Sequence, residues 1–221
     1  MLGPFGRSAR LALAVAVAAV GASAAARAHP HMFVEARTII HYDGGKFVSL
    51  EHRWTFDEFY TATAIEGLDA NKDGVYDRQE LAELAKVNIE GLKEFAYFTF
   101  PKAAGKEIKF ADVTDYHLEH KEGALTLVFK LPFEAAVPAD AKDFHFSVAD
   151  PTWFIAFDWA KSDAVRMSDG APRTCQVRIG SESGQPKPAD KTEEEALRGA
   201  FSQQFGNMVS EDRSVYATCP R

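Results

Sequence analysis

Hydrophobic and polar positions change period several times along the chain. Residues 11–26, LALAVAVAAVGASAAA, are small or apolar without a break. From Met32 to Phe56 the pattern alternates. Val48, Leu50, His52, Trp54 and Phe56 share one parity, and Met32, Val34, Ala36 and Ile40 form the apolar side of the preceding run, with His31, Glu35 and Arg37 opposite. Asp43-Gly44-Gly45 between them is turn chemistry, so MFVEARTIIHY and FVSLEHRWTF predict a hairpin. After Phe56 the spacing lengthens. DEFYTATAIEGL and DRQELAELAKVNIEGLKEF have helical composition and spacing, separated by an acidic loop. Alternation returns from Lys106, with Leu125, Leu127, Phe129 and Leu131 on one face. DFHFSVADPTWFIAFDW follows, where Pro151 predicts a break or a corner, and CQVRIG predicts one more short strand.

The fold class these elements predict is mainly β with an α insertion. It is an antiparallel β-sandwich carrying an EF-hand-like helix-loop-helix across residues 57–99, plus a C-terminal helix. The sandwich domain spans residues 29–180. SESGQPKPADKTEEE is polar, with Gly and two prolines, and predicts a linker at 181–192. Residues 193–221 follow as a helix and a tethered tail. Leu197, Ala200, Phe201, Phe205 and Met208 lie along one stripe of that helix, which suits docking on the protein itself. No internal repeat is visible.

Residues 1–28 carry Arg7, Arg10 and Arg27 and no acid. Their apolar run falls short of the ~20 residues of a membrane helix and ends at Ala26-Arg27-Ala28, a small-x-small site. Together these predict a cleavable secretory signal, a mature chain starting at His29 and residence in the periplasm. Residues 29–221 then hold 22 basic against 32 acidic residues, a formal charge of −10. Such a surface argues against nucleic acid and anionic membrane as partners, since phosphate binding needs clustered Lys and Arg. Cys175 and Cys219 are the two cysteines, and in a secreted chain they predict one structural disulfide.

DANKDGVYDRQE, Asp69 to Glu80, fits the twelve-residue calcium loop position by position. Asp69, Asn71 and Asp73 occupy the first, third and fifth places, and Gly74 the sharp turn at the sixth. Val75 offers its carbonyl, Asp77 serves the ninth place, and Glu80 closes the loop with two oxygens. Tyr76 is the inward apolar position. Phe59, Ile65 and Leu68 before the loop, and Leu81, Leu84 and Val87 after it, supply apolar helical flanks. A single hand with few methionines predicts structural Ca2+ rather than a sensor.

AAARAHPHMFVEA places His29-Pro30-His31 directly after the predicted cleavage site. Pro30 has no amide proton to lose, which excludes a square-planar chelate through successive amides. Two arrangements stay open. His29 could bind copper or nickel through its amine and imidazole together, with a third nitrogen from another histidine. Alternatively, His29 and His31, alternate residues on an extended segment, present two imidazoles on one side; one or two further ligands then complete a tetrahedral zinc site. His145 and Asp150 are candidates for those places. His52 is another, although its apolar strand face suits a hydrogen-bonded core histidine. His117 and His120 fall on opposite faces of one strand.

The combination of an Ala-terminated leader, His-Pro-His, WTFDEFY, the acidic loop and DPTWFIAF resembles a bacterial periplasmic family of formally unknown function. Its members are described as periplasmic components of uncharacterised ABC-type transport systems. They are often encoded beside permeases of the nickel/cobalt exporter type, and some are implicated in zinc acquisition. The resemblance runs from Ala28 to about Ile179. It implies a metal association for His29 and His31 and a family position at Asp150; Trp153 stands where relatives carry Tyr.

The function expected is therefore a non-enzymatic, metal-binding component of a transition-metal transport system, with zinc as cargo and an inner-membrane metal permease as partner. Two rivals remain: a copper-brace oxygenase or copper chaperone on a β-sandwich, and a calcium-stabilised interaction module without transition metal. No nucleophile elbow, His-Glu-x-x-His or phosphate-binding glycine loop points to a hydrolase.

Overall fold

The structure is a computed structural model describing residues 30–180 and 213–220. It is mainly β, with two sheets that are mostly antiparallel. In the first sheet, β1 (Met32–Asp43) and β2 (Lys46–Phe56) form the expected hairpin, Val34 facing Phe56 and Ile40 facing Leu50. Gly44 and Gly45 both take positive φ, +51° and +84°, which a side chain would resist. The sheet continues from β2 to β6 (Ala124–Pro138) and β5 (Tyr116–Lys121), both antiparallel.

On the other side of β1 the ladder is parallel, unlike the all-antiparallel expectation. β8 (Ile155–Trp159) pairs with Met32–Ala36, and β9 (Val165–Met167) pairs with Thr38–Ile40. The cause is the corner at Pro151. The chain leaves the second sheet after Val148, turns, and reaches the first sheet at the end where β1 begins, so it runs alongside β1 in the same direction. The second sheet orders β10 (Gln176–Ile179), β11 (Val215–Thr218), β7 (His145–Val148), β3 (Thr99–Ala103) and β4 (Lys106–Glu107). β11 adds a strand within residues 193–221, where helix and tail were expected. The expected linker at 181–192 and the helical stripe up to Met208 lie outside the described residues.

The alternating faces of β1, β2 and β6 supply Val34, Ala36, Ile40, Leu50, Trp54, Leu125, Leu127, Phe129 and Leu131 to the core. Phe146 of β7 and Phe144 just before that strand meet them from the other side; Phe47 and Phe144 lie 4.7 Å apart between ring centroids. Full burial of a side chain of this size contributes about 1.5–3 kcal/mol. Val48 departs from the expected parity. An irregularity in the β2–β6 register between Phe47 and Ser49 turns Phe47 and Ser49 inward and leaves Val48 only half-buried.

Between β2 and β3 lie α1 (Glu58–Ala64) and α2 (Ala82–Glu94). Asp57 caps α1 by accepting the Tyr60 amide at 2.8 Å. Gly67, at φ +78°, follows the helix end. α2 buries Ala85 and Ile89 and leaves Val87 exposed. The disulfide Cys175–Cys219 joins residues flanking the β10–β11 ladder, whose end pair is Gln176 and Thr218. Among the described residues no helix is long and apolar enough to cross a membrane.

Candidate metal centre

The segments that stood out in the sequence meet where β1 begins. The His31 amide donates to the Phe154 carbonyl at 2.8 Å, and Met32 then pairs with Ile155. Phe33 is held by Asp57, which accepts its amide at 2.8 Å and donates its own amide to the Phe33 carbonyl at 3.1 Å. So DPTWF and the Asp57 of WTFDEFY grip the first residues after His-Pro-His from two sides. Partial desolvation raises the Asp57 carboxyl, but amides including those of Phe33, Tyr60 and Phe59 outweigh it and hold the group below its ordinary value.

His31 is exposed, and its ring lies 5.1 Å from that of Phe154. Among the described residues no hydrogen bond occupies either of its nitrogens. His29 lies outside the described residues.

Asp150 is buried. One carboxylate oxygen accepts the Thr152 amide (2.8 Å) and hydroxyl (2.7 Å); the other accepts the amides of Phe154 (3.1 Å) and Ile155 (2.9 Å). Asp150 and His31 are thus joined through Phe154.

His52 is elsewhere, fully buried among Trp54, Phe129 and Phe146. Thr99 Oγ1 donates to the Tyr97 carbonyl at 2.8 Å, so it accepts from His52 Nε2 at 3.2 Å. Nδ1 then accepts from Thr38 Oγ1 at 2.8 Å. The ring is a neutral imidazole with both nitrogens engaged, and burial lowers its pKa to about 3. His145, on β7, meets the Asp143 carbonyl at 2.8 Å and stacks on Tyr216. Among the described residues neither histidine shares a hydrogen bond or a ring contact with His31. Among the described residues no three His, Cys, Asp or Glu side chains are gathered as a ligand cluster.

The acidic loop between α1 and α2 is wound on its own amides. Asp69 accepts from Asp73 (3.1 Å) and from Gly74 (3.0 Å), whose φ is +79°. Asn71 accepts from Asp73 at 2.8 Å, and Asp73 from Val75 at 2.7 Å. Asp77 Oδ1 accepts from Gln79 and Glu80, while Glu80 reaches across to the Ala70 amide at 2.9 Å and the Asp77 amide at 3.1 Å. Glu80 thereby sits beside the first ligand position, and the donor set is hard oxygen, the chemistry calcium takes.

Residues 14–215 match the family described as "Protein of unknown function (DUF1007)". The chain belongs to that family. An uncharacterised protein of Haemophilus influenzae is 22% identical over 151 residues, which cover 68% of this chain and 71% of that protein.

Two arrangements in this family member had no sequence signal. Glu119 accepts from Arg53 (2.9 Å), His117 (3.1 Å) and Lys121 (3.2 Å); desolvation raises its carboxyl, but these donors bring it down to about 2. Arg78 of the acidic loop pairs with Glu119 at 3.5 Å, and Tyr76 lies 5.0 Å from the His120 ring, so the loop rests on β5. The second is an apolar groove of about 410 Å³ between α2 and the DPTWF turn, lined by Leu84, Val87, Phe95, Phe154 and Ile155 among others. Both depend on side chains from separate elements, which local periodicity does not report.

Proposed function

We propose that this protein is a non-enzymatic, periplasmic metal-binding component of a transition-metal transport system. In this reading it carries zinc to or from an inner-membrane permease, and the Asp69–Glu80 loop holds a structural calcium ion. The observation that carries the reading is His31: an exposed imidazole with unoccupied nitrogens among the described residues, on a backbone pinned by the Phe154 carbonyl. His29, two positions earlier, would supply the second imidazole, and two imidazoles with one or two further ligands suit tetrahedral zinc. The engaged nitrogens of His52 weigh against its serving as the third ligand of a copper brace.

The periplasm follows from the leader-like residues 1–28 and agrees with a disulfide, which persists in oxidising compartments. In finer terms the fold reads as a β-sandwich with an EF-hand-like insertion, supported by two sheets sharing one core and by an acidic loop between α1 and α2. Asp69, Asp73 and Glu80 would supply hard oxygens to the calcium, which would stabilise rather than signal.

The test is equilibrium dialysis against zinc, copper and nickel, on protein whose first residue is established by mass. About one zinc per chain is expected, lost in His31→Ala. No uptake of any transition ion ends the reading.

A further inference from the structure

One strained residue stands beside the candidate centre. Trp153 has φ +61°, in the left-handed region that bulky side chains avoid. Such a conformation persists only where its surroundings over-determine it. Here they do: the Trp153 amide donates to the Asp150 carbonyl at 3.2 Å, and the Asp150 carboxylate gathers the Thr152 amide and hydroxyl with the amides of Phe154 and Ile155. The Asp150 oxygens are saturated by these donors and point into the turn, so this carboxylate holds protein rather than metal.

What the turn delivers is specific. Immediately after Trp153, Phe154 sends its carbonyl to the His31 amide at 2.8 Å and sets its ring 5.1 Å from the imidazole, tilted by 35°. Backbone and side chain of one residue thus both address His31. An aspartate that merely stabilised a loop would require neither contact. Asp57, holding Phe33 on the other side of Met32, fixes the strand that follows, and its carboxylate bonds go to the amides of Phe33 and Tyr60.

We infer that Asp150 is the positioning residue of the His31 imidazole, acting through the strained Trp153 turn and Phe154. The inference deepens the zinc reading and rests on it. Groups one layer out from a metal ligand govern its orientation, and their loss weakens metal binding by roughly 10–100-fold.

The experiment is zinc titration of the full secreted protein, run beside hydrogen exchange of the His31 amide. Asp150→Asn is expected to weaken zinc by ~10–100-fold and to accelerate His31 amide exchange. Phe154→Ala keeps the carbonyl, so it should weaken zinc while the His31 amide stays protected, and Phe154→Tyr should restore affinity by restoring a ring. A folded Asp150→Asn protein with wild-type zinc affinity, or with unchanged exchange at His31, overturns the inference. Should Asp150→Asn fail to fold, Thr152→Val removes one of the four donors and leaves the carboxylate. A smaller loss in the same direction then supports the inference, and wild-type values in both readouts overturn it. A wild-type protein that takes up no zinc overturns the metal reading alone, because exchange at His31 decides the positioning separately.

Discussion

Asp57 accepts the Phe33 amide through one carboxylate oxygen and the Tyr60 amide through the other, each at 2.8 Å. One side chain therefore ties the start of β1 to the first turn of α1. Replacing Asp57 by Ala removes a helix cap, typically worth about 1 kcal/mol, and leaves a strand amide without its acceptor, about 1–3 kcal/mol if water cannot replace it. Asp57→Ala should lower unfolding free energy by roughly 2 kcal/mol in urea titration, with an unchanged slope.

His52 predicts a pH dependence. Its folded pKa, about 3, lies below the ordinary 6.5. Between those values the unfolded chain takes up a proton that the folded protein refuses. The stability His52 confers is complete above pH 6.5, falls as pH drops below that value, and stops falling near pH 3. The slope approaches about 1.4 kcal/mol per pH unit. His52→Gln should be less stable at pH 7 yet show a flatter profile between pH 6.5 and 5. Urea midpoints across that range check it, and identical slopes in both proteins would refute it.

The Cys175–Cys219 bridge closes a segment of 44 residues' separation. Loop-closure entropy assigns such a bridge roughly 4 kcal/mol. Cys219 directly follows β11, and the same segment is held by the Cys219 amide donating to the Ala139 carbonyl at 2.8 Å and the Ala217 amide to the Phe144 carbonyl at 3.2 Å. The double change Cys175→Ser, Cys219→Ser should raise hydrogen exchange in β11 before β1 or β2. Reductant should reproduce the effect in the wild type.

If the acidic loop takes calcium, saturating ion stabilises the fold by mass action, about 2.7 kcal/mol at one hundred times Kd. Thermal unfolding with calcium, with magnesium and with chelator should show a calcium-specific rise in Tm. Glu80→Gln removes the charge that reaches back to Ala70 and should abolish the rise. Equal Tm values with and without calcium would refute the calcium assignment.

The hairpin and the faces of β6 were legible because a buried sheet face imposes alternation and Gly44-Gly45 marks the reversal. Val48 was not, because a bulge resets parity without any change in composition. Two cysteines made the disulfide pairing readable, whereas the four residues of β11 carry too short a pattern to stand out. The parallel placement of β8 and β9 could not be inferred from alternation, which is blind to strand direction. At the candidate centre the histidines and DPTWF were visible as residue types. What Asp150 does there was hidden, because its partners are backbone amides, and every residue but proline has one.

The parallel pairing of Met32 with Ile155 joins residues 123 positions apart. A ribosome or translocon releases the first strand long before its second neighbour exists, so one flank of β1 stays bare through most of biosynthesis. Emerging chains thus carry an adhesive margin that invites mispairing, and holdase chaperones are the natural guard. The same delay means that any product cut short of Phe154 lacks the carbonyl that orders His31, so the entry to the first strand is settled only late in synthesis.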